Sequence, residues 1–164
     1  MLGLTSLDID LSAIADNLAA MRGAIPAGTR VYGVVKGDAY GLGHVEVAAA
    51  LAAAGIDGLA AGDPDEAVLL ARRHRDLPVL AYGTYTTEMA LALAAETVRP
   101  TLYSVEMVAQ FAARCAAPAD IHIEIDCGFG RLGLQPEEVH AALMRLRDNP
   151  RIRVRGLYTH LGGI

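Results

Sequence analysis

The chain has 164 residues, 53% of them hydrophobic, and a formal net charge of -5 at neutral pH. That length suffices for one domain with a real core, spanning residues 1–164, since such a chain buries about two-thirds of its unfolded surface. The acidic balance and scattered basic residues give no positive stripe for nucleic acid. No apolar run approaches the roughly 20 residues of a membrane span, and Met1-Leu2-Gly3-Leu4-Thr5 lacks the regions of a signal peptide, so a cytoplasmic protein with no membrane partner is expected.

Thr5 to Leu11 alternates apolar and polar residues as a short strand does, and Asp10 and Ser12 offer N-caps for an Ala-rich helix over Ala13–Arg22. Pro26 and Gly28 close that helix. Arg30 to Val35 is a β-branched run of the kind buried on both faces, and it ends at Lys36. From there a unit of short apolar strand, loop and Ala/Leu helix recurs. The strands fall at Gly58–Ala61, Pro78–Tyr82, Val98–Leu102, Asp120–Ile125 and Ile152–Tyr158. Between them lie helices near Val45–Ala54, Pro64–His74, Thr87–Ala95, Val105–Cys115 and Pro136–Arg147, two of which carry Pro at the start, where its missing N–H is harmless.

Strict alternation with short connections implies a parallel sheet with right-handed crossovers, either doubly wound or a (β/α) barrel. About six parallel strands can be counted, against the eight and about 250 residues of a complete barrel. In both architectures ligands meet the carboxyl ends of the strands. The reactive side chains there are Lys36, Asp126, Arg131, Thr159 and His160. Lys36 stands out, because an ammonium ending a Val-Val strand is partly desolvated, which favours the neutral amine that a Schiff base needs. Cys115 reads as a buried small hydrophobe, and neither cysteine has a metal-like partner nearby.

Val34-Val35-Lys36, Ala39-Tyr40-Gly41 and Gly43 resemble the Val-Val-Lys-Ala-Asn-Ala-Tyr-Gly-His-Gly signature of alanine racemases. Asp126-Cys127-Gly128-Phe129-Gly130-Arg131-Leu132-Gly133 is similar to that family's Asp-Thr-Gly-Met-Gly-Arg-Leu-Gly, and Gly156-Leu157-Tyr158-Thr159-His160 to its Gly-(Leu/Ile)-(Tyr/Phe)-Thr-His. The three motifs stand in the family's order, each after a predicted strand. The resemblance implies a (β/α)8 TIM-type barrel, here incomplete, and an isomerase dependent on pyridoxal 5'-phosphate (PLP) that interconverts L- and D-alanine for cell-wall synthesis. It makes Lys36 the Schiff-base lysine and one of two acid/base groups. Tyr40 would reach the cofactor phosphate, Arg131 its phenolic oxygen, and His160 would lie against the pyridine ring. His44, His74, His122 and His140 lack such context and read as surface or helix residues.

Three departures from the family carry expectations. Glu124 stands seven residues before Arg131, where the family often has a carbamylated lysine, and it is expected to pair with Arg131 directly. Cys127 replaces a threonine and loses a hydroxyl donor. After His160 only Leu161-Gly162-Gly163-Ile164 remain, so the last two barrel strands and the C-terminal β-domain of the family have no sequence here. With them would go the second base, a tyrosine that a partner subunit supplies in the family's homodimer. The isolated chain is therefore expected to bind PLP weakly and to racemise poorly. The alternatives are a non-catalytic PLP-binding barrel of the PLP-homeostasis kind, a PLP decarboxylase of the same barrel class, or a scaffold without cofactor. The Tyr-Gly pair after Lys36 argues against the decarboxylase.

Overall fold

The computed structural model describes residues 6–162, in which six parallel strands alternate with helices. The strands are β1 (Tyr32–Val34), β2 (Gly58–Ala61), β3 (Val79–Ala81), β4 (Arg99–Leu102), β5 (Ala119–Glu124) and β6 (Ile152–Tyr158). Each pairs with the next in sequence, giving the order β1-β2-β3-β4-β5-β6. That order decides between the two architectures: a doubly wound sheet reverses its winding at a switch point, whereas an unbroken succession keeps every crossover helix on one side and curls the sheet. The curl is visible across its middle, where the Arg99 guanidinium on β4 donates to the Tyr32 hydroxyl on β1 at 3.3 Å. The fold is an incomplete (β/α) barrel.

The helices are α1 (Leu11–Ala24), α2 (Lys36–Gly41, a left-handed turn), α3 (His44–Ala53), α4 (Pro64–Arg73), α5 (Thr87–Ala95), α6 (Val105–Arg114) and α7 (Val139–Arg147), the last entered through a 3-10 turn at Pro136–Glu138. Their starts follow local chemistry. Asp63, Thr86 and Ser104 each accept a backbone N–H of the first turn of α4, α5 and α6, satisfying donors that a helix start leaves open. The core lies between helices and sheet, where Leu59, Leu70, Leu93, Leu102, Phe111 and Ile121 are fully buried. Cys115 is buried with them.

Two expectations fail here. No strand forms over residues 6–10, which are exposed, and Leu11 already belongs to α1; Thr5 lies outside the described residues. Alternation alone makes no strand without a neighbouring edge to pair with, and Asp10 instead caps α1 by accepting Ser12 N at 2.9 Å. β1 is also not buried on both faces, because Val34 is 43% exposed and looks into the cavity described below.

Candidate active site

Lys36 follows β1 after one residue, Val35, and opens α2. Gly37, Asp38, Ala39 and Tyr40 all adopt positive φ, between 52 and 60°. A left-handed helical conformation costs roughly 1–2 kcal/mol for each residue with a Cβ, so three such residues in a row are held by their surroundings. Ala39 is buried and its N–H donates to Val35 O at 2.9 Å. The Asp38 carboxylate accepts from His44 N at 2.8 Å and contacts His44 Nδ1 at 2.7 Å, which holds it well below the usual carboxylate range. The Glu66 carboxylate, from the first turn of α4, accepts from Gly37 N at 3.2 Å and Asp38 N at 2.8 Å. This reversal of hand swings Tyr40 to the same rim as Lys36.

A cavity of about 440 Å³ opens at the carboxyl ends of the strands, within the range of small-molecule and cofactor sites. Lys36, Tyr40 and His160 line it, with Val34, Leu80 and Leu157 forming apolar walls. The Lys36 ammonium lies 5.5 Å from the centroid of the Tyr82 ring. Burial pushes the Tyr82 hydroxyl up to about 12, so it is a neutral donor. The strand ends crowd together behind Lys36. A methyl group on Gly83 would collide with the Gly62 carbonyl oxygen, and one on Gly62 would stand 3.6 Å from Lys36 Cβ.

The loop after β5 folds on its own aspartate. Asp126 accepts from Gly128 N at 2.9 Å and Gly130 N at 3.0 Å, bonds that lower its pKa. Gly133, at φ +122°, brings the chain back against the Asp126 and Ile125 backbone, where a Cβ has no room. Phe129 projects from this loop. Its ring meets that of His160 edge-on at 4.5 Å, and the Arg131 guanidinium sits 4.7 Å from its centroid. The structure thus brings Lys36, Tyr40 and His160 to one cavity and leaves Arg131 beside it on the rim, joined through Phe129.

Glu124 does not pair with Arg131. It is turned inward, 3% exposed, and its Oε2 accepts from the Tyr158 hydroxyl at 3.2 Å. No ion pair joins it to Arg131 among the described residues. The reason is geometric: Glu124 ends β5 facing the barrel interior, while Arg131 is carried outward by the glycine loop onto Phe129. Burial raises the Glu124 carboxyl, only partly offset by the Tyr158 hydroxyl and the more distant Arg131 charge.

His122 also departs from expectation, since it lies neither on a helix nor on the outer surface but on β5, lining the cavity. Its ring lies 2.9 Å from the position of a Cβ on Gly156, and its Nε2 is buried with no hydrogen-bond partner among the described residues. Burial, then the Arg99 charge, lower it to about 4. The alternation along Asp120–Ile125 was the available signal, for it puts His122 and Glu124 on one face. His74 and His140 do sit at or in helices, and His44 opens α3.

The family model "Alanine racemase, N-terminal domain" matches residues 9–163. The chain belongs to the alanine racemase family. It is 35% identical over 159 residues to the alanine racemase of Geobacillus kaustophilus, covering 95% of this chain and 41% of that protein. With alanine racemase 1 of Bacillus subtilis the identity is 37% over 158 residues, with 95% and 41% covered. Among solved structures, the Bacillus anthracis alanine racemase with bound L-Ala-P superposes with a TM-score of 0.84 at 31% identity, over 94% of this chain and 41% of that one. The Clostridium difficile 630 enzyme gives a TM-score of 0.83 at 30% identity, over 93% and 41%. The chain thus spans about two-fifths of the length of these racemases. Among its described residues no helix is long and apolar enough to cross a membrane.

Proposed function

We propose that this racemase-family chain forms the PLP-bearing face of an amino-acid racemase acting on a small amino acid such as alanine, with Lys36 as the lysine that condenses with the cofactor aldehyde. The observation that carries this is the primary amine of Lys36 at the mouth of a largely apolar cavity of about 440 Å³. Apolar walls from Val34, Leu80 and Leu157 suit a flat heteroaromatic ring, and the buried Thr159 Oγ1 and His122 Nε2 lack partners among the described residues, as polar atoms awaiting a ligand do. When bound, PLP supplies an electron sink for the charge that develops at the substrate Cα.

The residues divide the remaining work. Lys36 would exchange a proton at the substrate Cα from its own side of the cavity. Tyr40 offers its hydroxyl to the phosphate, Arg131 a charge-assisted bond to the phenolic oxygen, and His160 a ring against the pyridine. Phe129 shields the approach to His160 and Arg131 from water. The relatives' names and the L-Ala-P in the Bacillus anthracis structure support alanine as substrate. In the homodimer that the resemblance implies, a second acid/base group would reach the opposite face from the partner's C-terminal part, which lies outside these 164 residues.

Incubation with PLP followed by borohydride tests this. A covalent adduct located at Lys36 by peptide mass spectrometry, and lost in Lys36→Ala, is expected. An adduct at the N-terminal amine instead of Lys36, or none, would sink the assignment. Conversion of L-alanine to its enantiomer is expected to be very low for this chain alone, which supplies one of the two acid/base groups; robust turnover would contradict that expectation and identify a racemase over a cofactor-binding barrel.

A further inference from the structure

We propose that Glu66 is a positioning residue for Lys36: its carboxylate pins the left-handed turn α2 and thereby aims the amine into the cavity. This rests on the reading of Lys36 as the cofactor lysine. Glu66 itself does not line the cavity, so it acts through the backbone.

The turn has a specific weakness that Glu66 meets. Three residues bearing a Cβ, Asp38, Ala39 and Tyr40, hold φ of 55, 52 and 59°, and such a run relaxes unless its surroundings over-determine it. Within the turn and its exit, Ala39 N donates to Val35 O at 2.9 Å, Leu42 N to Ala39 O at 3.2 Å and Gly43 N to Asp38 O at 2.9 Å. Gly37 and Asp38 come before the first turn closes, where a helix of either hand leaves its N–H groups open. Glu66 takes both, Oε2 from Gly37 at 3.2 Å and Oε1 from Asp38 at 2.8 Å. The nearer carboxylate, that of Asp38, cannot substitute because it is already turned to His44 N and Nδ1.

Glu66 is well placed to act as an anchor. It is half-buried in the first turn of α4, where Asp63 accepts its own N–H at 3.3 Å, and α4 is fixed to the core by the fully buried Ala67 and Leu70. The loop leading into α4 also passes close to Lys36. A Cβ at Gly62 would stand 3.6 and 3.7 Å from Lys36 Cβ and Cδ, ordinary contact distances. One short stretch, residues 62–66, therefore passes beside the stem of Lys36, with room at Gly62 for no more than a methyl group, and fastens the two peptide groups after Lys36 through Glu66. Loss of the carboxylate frees those peptides at the residues that set the direction of the Lys36 side chain and carry Tyr40.

The test compares wild type, Glu66→Ala and Glu66→Gln by three measurements: hydrogen exchange of the Gly37 and Asp38 amides without cofactor, yield of the borohydride-trapped PLP adduct at Lys36, and the melting midpoint. In Glu66→Ala both amides should exchange at least about tenfold faster and the adduct yield at limiting PLP should fall about tenfold, the size of effect expected for lost charge-assisted bonds. In Glu66→Gln, whose carbonyl oxygen still accepts, much of both should return. Amides that exchange in Glu66→Ala as in wild type overturn the proposal. So does an adduct yield that is unchanged while the amides are freed, or one that falls only in proportion to the unfolded fraction. A wild-type chain that gives no adduct at Lys36 defeats the cofactor reading instead, and the amide exchange then decides by itself whether Glu66 holds the turn.

Discussion

The Tyr158 hydroxyl at the end of β6 donates to the Glu124 carboxylate at the end of β5, 3.2 Å away, closing two neighbouring strands over the barrel interior. Tyr158 also reaches Thr101 Oγ1 on β4 at 3.1 Å, so three strands share one polar contact. Burial raises the Glu124 carboxyl above its ordinary range. A carboxyl whose folded pKa is raised binds protons more tightly folded than unfolded, so its contribution is fully present below the unfolded pKa, about 4.3, and is lost as the pH rises through the higher folded value. Glu124→Gln keeps the shape and removes the buried charge. It is expected to be more stable than wild type by about 1 kcal/mol at neutral pH, with the two converging below about pH 4. Urea unfolding at both pH values checks this, and a variant that is less stable at neutral pH would show that the carboxylate is ionised and paired.

His122 gives the opposite dependence. Its pKa is lowered to about 4 by burial and by Arg99, against a weaker upward pull from Asp120. The folded state then binds fewer protons than the unfolded one between about pH 6.5 and 4. Stability is present above that window and is lost as pH falls through it. Allowing for the ring's partial exposure, the loss should be on the order of 1–2 kcal/mol, and it should shrink in His122→Asn. Ring proton shifts should place the His122 midpoint near 4; a midpoint close to that of a free histidine would contradict the burial.

The parallel alternation and the rim position of Lys36 and His160 were legible because short apolar strands alternate with Ala/Leu helices, and the runs at Val34-Val35 and Leu157-Tyr158 give way to Lys36 and to Thr159-His160, a local pattern. The site's hand and its charge pairing were not. Gly37 to Tyr40 carries no local signal for a left-handed turn, which is held by bonds from Glu66 and by the buried Ala39 with its bond to Val35 O. Glu124 and Arg131 have opposite charge and short spacing, which suggested an ion pair. The closed loop between them, tied by Asp126 to Gly128 and Gly130, sends their side chains apart. His122 was misjudged by context, although its position two residues before Glu124 puts both on the interior face of β5.

Gly83 should tolerate no side chain. A Cβ there would strike the Gly62 carbonyl, a backbone atom with no rotamer to escape into. Gly83→Ala is expected to cost about 3 kcal/mol, at the upper end of overpacking effects. Because Gly62 neighbours the stem of Lys36, so that even an added methyl there would touch it, a shift of the Gly62 backbone should also lower trapping of PLP at Lys36 under conditions where the variant stays folded. Thermal melting and adduct yield measured together check both parts, and a silent Gly83→Ala would mean the two loops are free to separate.

Phe129 links Arg131 on the rim to His160 in the cavity. Its ring meets His160 edge-on at 4.5 Å and carries the Arg131 guanidinium at 4.7 Å, contacts worth about 0.5–1.5 and 0.5–1 kcal/mol in such settings. Phe129 is itself 41% exposed, so little core burial is at stake. Phe129→Ala should therefore leave the melting midpoint nearly unchanged. Yet Arg131 and His160 would lose their shared support, and PLP affinity should fall about tenfold, equivalent to about 1.4 kcal/mol. Phe129→Tyr keeps the ring and should retain most of the affinity. Fluorescence titration of PLP against the three proteins measures this. Equal affinities would mean that Arg131 and His160 are set by their own backbone positions, and a large stability loss in Phe129→Ala would mean that the ring serves the fold instead of the rim.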